Sequence, residues 1–146
     1  MTKKWLAGTF AASMLLGTLI ATPAVAHTER LTAGLNGDKE VPGPGDPNGK
    51  GDAVIKLKDE EGKICYNISF KKIGKAQAAH IHSGGKKASG DVVVTLWSGA
   101  KSSPQKGCVE ASSDVIGAIA ANPNKHYVNL HTTAYPDGAI RGQLHR

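Results

Sequence analysis

Two stretches of strict two-residue alternation constrain this chain more than any other feature. Across Asp52 to Lys58, Ala53, Ile55 and Leu57 fall on one side, with Asp52, Lys56 and Lys58 on the other. Across Lys63 to Lys71, Ile64, Tyr66, Ile68 and Phe70 share a side, opposite Cys65, Asn67 and Ser69. Successive side chains of an extended strand point to opposite faces, so each run reads as a half-buried strand. Asp59-Glu60-Glu61-Gly62 between them is a turn, and the whole predicts an antiparallel hairpin.

The remaining chain follows the same grammar less strictly. Leu31 to Leu35 is a weak strand, and Val41 to Gly49 is too dense in proline and glycine to be anything but a loop. A strand surrounds Ala79-His80-Ile81-His82, a Gly/Ser/Lys loop follows to Gly90, and Asp91 to Trp97 is a strand. Ser98 to Gly107 is polar, carries Pro104 and reads as a loop delivering Cys108. Ser112 is a good N-cap, Asp114 is acidic in the first turn and Pro123 stops the run, which predicts one helix of about ten residues. His126 to Thr133 and Ala139 to Leu144 are strands flanking a Pro136-Asp137-Gly138 turn. About seven short strands and one short helix predict an all-β, Greek-key-like β-sandwich or small barrel.

Lys3 and Lys4, the apolar run from Trp5 to Ala21 and Ala24-Val25-Ala26 form a secretory signal peptide over residues 1–26, leaving one domain over 27–146. An N-terminal membrane anchor is the other account of that run, and Pro23 and the small-residue site argue against it. The secreted or periplasmic address sets the redox context for the two cysteines. Cys65 and Cys108, an even count in an oxidising compartment, favour one disulfide over free thiols or a thiolate metal site. The formal charge is +6, of which Lys3 and Lys4 supply two, leaving +4 for the rest. The lysines are scattered and aromatics are few, so a nucleic-acid partner is not expected. No stable membrane span remains after signal cleavage.

Alternation also sorts the polar residues that carry chemistry. If Ile81, Val128, Leu130, Ile140 and Leu144 face the core, then His80, His82, Asn129, His131, Arg141 and Gln143 face away from it. Neutral imidazole is the commonest nitrogen ligand for zinc and copper, and His80 and His82 stand two apart on one strand. Should that strand lie beside the last hairpin, His131 joins them. Three imidazoles hold a metal and leave room for water or another ligand. The plain alternative is a solvated strand face. His126 falls on the other side by count, and His145 is near the terminus. His27, at the start of the mature chain, could bind copper through its amino group and imidazole, or simply fray. No nucleophile elbow, phosphate loop or dinucleotide fingerprint is found.

Several of these residues form a family pattern. Leu35-Asn36-Gly37 with Glu40-Val41-Pro42, Ala79-His80-Ile81-His82-Ser83-Gly84, and Tyr127 to Thr132 with Pro136 to Leu144 resemble the CHRD domain, named after the repeated domain of chordin. The resemblance spans Leu31 to Leu144 and implies an exported binding module of the cell envelope or extracellular space. Nothing resembles chordin's cysteine-rich repeats, so growth-factor antagonism is not carried over. A weaker similarity is to the copper-zinc superoxide dismutases, with their His-x-His copper pair, one disulfide and an arginine near copper. Their zinc loop and bridging histidine are not found here. Three expectations follow: a module holding copper or zinc through His80, His82 and His131; a copper-dependent redox enzyme in which Arg141 guides an anionic substrate; and a metal-free adhesive or matrix module contacting protein or glycan.

Overall fold

The computed structural model describes residues 28–146; the signal-peptide reading and the copper reading of His27 lie outside them. Eight strands and one α-helix make up this part of the chain. In order they are β1 (Thr28–Asn36), β2 (Lys50–Lys58), β3 (Lys63–Lys71), β4 (Ala76–Ser83), β5 (Val92–Lys101), β6 (Gln105–Glu110), α1 (Ser113–Ala121), β7 (His126–His131) and β8 (Ile140–Gln143).

They form a single antiparallel sheet in the order β5-β4-β7-β8-β1-β2-β3-β6. Its two outermost strands, β5 and β6, are consecutive in the chain, so the sheet curls round until its ends nearly meet. Only Ser102 to Pro104 join them, and Ser103 Oγ accepts from the Phe70 amide at 2.7 Å, tying the connection to β3. Tyr66 of β3 and Trp97 of β5 pack at 5.6 Å between ring centroids across this seam. The result is a nearly closed barrel, all-β as expected.

The alternation explains the core. Leu31, Ile55, Ile64, Ile68, Ile81, Leu130, Ile140 and Leu144 are fully buried inside the curl, each contributing about 1.5–3 kcal/mol relative to exposure. The expected hairpin of β2 and β3 runs in unbroken register from Lys50↔Lys71 to Lys58↔Lys63, and Gly62 ends its turn with φ 59°. Helix α1 starts where expected: Ser112 Oγ accepts from the Val115 amide, and Ile116 and Ile119 enter the core.

One expectation fails. Ser98 to Gly107 is not a loop, because β5 continues to Lys101 and β6 begins at Gln105, giving eight strands instead of seven. Ser98, Gly99, Ala100 and Lys101 are all exposed, so this end of β5 buries no alternate residue and shows no apolar period. Backbone pairing with β4, Ala78↔Ser98 and Ala76↔Lys101, holds it instead.

Candidate metal centre

Strand order decides the site. β4 lies beside β7, and β7 beside β8, placing His80 opposite Asn129 and Asn129 opposite Arg141. The next row is His82, Tyr127 and Gln143. All the residues assigned by alternation to the outer face do share it. His131, two residues beyond Asn129, then stands diagonal to His80. The β4–β5 register slips on either side of His80, between Ala79 and His80 and between Ile81 and His82. Bulges of this kind re-aim side chains and recur beside sites.

His80, His82 and His131 each offer a ring nitrogen, and the three atoms lie within 4.8 Å of one another. His80 Nδ1 is 3.0 Å from His131 Nε2. Two ligands each about 2.0–2.1 Å from one ion stand about 3.3 Å apart at a tetrahedral angle, so the His80–His131 pair would open slightly and a pair near the 4.8 Å limit would close.

Backbone carbonyls fix the tautomers. His82 Nδ1 is 2.9 Å from the Gly90 oxygen and His131 Nδ1 is 2.8 Å from the Pro136 oxygen. A carbonyl only accepts, so both Nδ1 atoms carry the proton and both Nε2 atoms present a lone pair. Neutral imidazole oriented through its other nitrogen is the arrangement found around protein-bound metals. His82 Nε2 is buried with no partner at all. In the metal-free protein His80 donates its Nδ1 proton to His131. Burial, reinforced by the positive charge of His131 and then of His82 when protonated, pushes His80 down to about 4. Burial also lowers His82, against the opposing Gly90 hydrogen bond. Both rings are therefore neutral at pH 7.

The loop that supplies Gly90 is itself held. Arg141 Nη2 donates to the Gly85 and Ala88 oxygens at 2.8 and 2.9 Å, and Gln143 Nε2 donates to the Gly84 oxygen at 2.6 Å. Tyr127 stacks on His82, 4.8 Å between centroids and 5° from parallel, and the Arg141 guanidinium lies 3.3 Å from the Tyr127 ring centre. Arg141 is thus on the expected face but not on an open surface: it is 1 % exposed beneath the loop, committed to two carbonyls and an aromatic ring.

Alternation could not find Glu40. It comes from the loop after β1, is 7 % exposed, and accepts from Asn129 Nδ2 through both carboxylate oxygens at 2.9 Å. Its one sequence signal is its place in the Glu40-Val41-Pro42 pattern. His126 is buried elsewhere, its Nδ1 bonded to the Asn122 oxygen, and His145 is exposed. Neither joins the cluster.

Cys65 and Cys108 form the expected disulfide between register partners of β3 and β6. Among the described residues no helix is long and apolar enough to cross a membrane. Comparison with curated proteins and with solved structures finds no significant match. The family model of the CHRD domain matches residues 31–144, from the first core residue of β1 to the last after β8. With nearly the whole described barrel accounted for in this way, the chain belongs to the CHRD-domain family.

Proposed function

We propose that this protein is an extracellular or cell-envelope module that holds one copper or zinc ion through His80, His82 and His131. The observation that carries the reading is the unpartnered, buried Nε2 of His82 beside two further imidazole nitrogens. A buried polar atom without a partner is costly, and a nitrogen lone pair oriented by a carbonyl behind it is suited to a cation. The ligands would be His80 Nδ1, His82 Nε2 and His131 Nε2, the first after its proton moves to Nε2. Three imidazoles suit copper or zinc and leave an open position. When bound, the ion supplies a Lewis-acidic centre at the protein surface. The chain's own contribution is to hold three rings aligned, with Arg141 and Gln143 fixing the loop behind His82. The family membership and the disulfide support an address outside the cytoplasm.

Calorimetric titration of metal-free protein with zinc and with copper(II), checked by elemental analysis, tests this. One ion per chain is expected, and His82→Ala loses stoichiometric binding while keeping its β-sheet circular dichroism. Unchanged affinity in His82→Ala, or no binding by the native chain, overturns the reading.

A further inference from the structure

The outward face of the other half of the sheet has a different chemistry. Along β1, β2, β3 and β6 the register places Arg30 opposite Lys56, Lys56 opposite Cys65, and Cys65 opposite Cys108. The neighbouring row ends with Asn67 opposite Lys106. Arg30, Lys56 and Lys106 are exposed, and among the described residues no carboxylate pairs with any of them. They rim a shallow cleft of about 580 Å³ over the disulfide, lined also by Tyr66, with no acidic residue in its wall.

Two like charges directly opposite each other in an antiparallel pair repel, so Arg30 against Lys56 is a destabilising choice. It is repeated at the ends of the β2–β3 hairpin, where Lys50 faces Lys71 and Lys58 faces Lys63. There acidic residues are at hand: Glu61 is 2.8 Å from Lys58, Glu110 is the register partner of Lys63, and Asp52 lines the same cleft as Lys50 and Lys71, whereas the cleft beside Arg30 and Lys56 has none. Repulsion accepted on one face and left uncompensated within the fold is what a surface looks like when its counter-charge arrives with a ligand. The disulfide pins β3 to β6 and so holds Lys106 in place relative to Lys56, two strands away.

We infer that this face binds an extended acidic polysaccharide, its carboxylate or sulfate groups lying on Arg30, Lys56 and Lys106. An extended polyanion can reach across the strands from Arg30 and Lys56 to Lys106. Single-stranded nucleic acid would need aromatic stacking platforms, and Tyr66 is the one aromatic residue lining the cleft. A membrane surface would favour large apolar residues beside the cations, and among the described residues the one large hydrophobic residue that is exposed, Val92, lies on β5. The nearest strand of this face, β1, is separated from the histidine-bearing β7 by β8, so the inference stands independently of metal binding.

The test is calorimetric binding of a polygalacturonate oligomer at low salt. Parallel arms use phosphatidylglycerol–phosphatidylcholine vesicles and an oligothymidylate. Binding to the uronate is expected, weakened by added salt, with Lys56→Glu and Lys106→Glu each lowering affinity about tenfold. Lys87→Glu, on the β4–β5 loop, carries the same change in net charge and is expected to bind like the native protein. Lys56→Glu converts the repulsive pair with Arg30 into an attractive one, so its melting temperature should hold or rise, which separates lost binding from lost folding. Equal weakening by Lys87→Glu would mean that net charge alone is at work and would overturn the site. Binding to vesicles or oligothymidylate without binding to the uronate would overturn the ligand class.

Discussion

Glu40 holds a carboxylate largely shielded from water. Burial pushes it up to about 7 from 4.5, opposed by the Asn129 amide and by Arg141, the charged group that faces it. A carboxyl whose folded value is raised favours the protonated folded state. Its contribution is fully present below pH 4.5 and is lost as pH rises through 7. The loss amounts to about 3 kcal/mol for a shift of this size. Urea unfolding of the metal-free protein at pH 5 and pH 8 should show this decline, and Glu40→Gln, which stays neutral, should remove most of it. Parallel profiles for the two proteins would contradict the assignment. The backbone of Gly138 lies against the Glu40–Asn129 pair: a Cβ there, where φ is +147°, would stand 2.5 Å from Glu40 Oε2. None of this was legible from periodicity. Glu40 sits where proline and glycine replace the alternating pattern, and its burial depends on β7, 89 residues away. The histidines were legible, because strand alternation alone assigns His80, His82 and His131 to one face.

Among the elements, β2 and β3 read directly from the chain, since alternate residues of each, Ala53, Ile55 and Leu57 and then Ile64, Ile68 and Phe70, are buried. The far end of β5 and the start of β6 did not, because exposed strands paired only through their backbones leave no apolar period. Their place at the seam gives the disulfide its importance. Cys65 and Cys108 are 43 residues apart and bridge β3 to β6, the edge strand. Closing a loop of that length stabilises by about 3–4 kcal/mol in the chain-entropy account. Replacing both cysteines with serine should therefore lower unfolding stability by about that amount, read as a lower urea midpoint with secondary structure kept below the transition. A midpoint within error of the native protein would show that β6 is held without the bridge.

At the scale of the molecule, the decisive fact is one that no local pattern carries. The adjacency of β4 and β7 brings together histidines 51 positions apart, and it follows from how the whole sheet curls. The same curl sends the histidine cluster and the exposed cations to different parts of the surface, so one small barrel presents two faces of different chemistry. Alternation gave the fold class and the family resemblance the motifs; neither gave the carbonyls of Gly90 and Pro136, which orient the rings and whose roles are invisible in residue identity. The most direct measurement is X-ray absorption spectroscopy of the protein loaded with one equivalent of copper or zinc. The account predicts three imidazole nitrogens at about 2.0 Å, with outer-ring scattering to match, and one fewer in His131→Ala. A first shell of oxygen alone, or a histidine count unchanged in that variant, would contradict it.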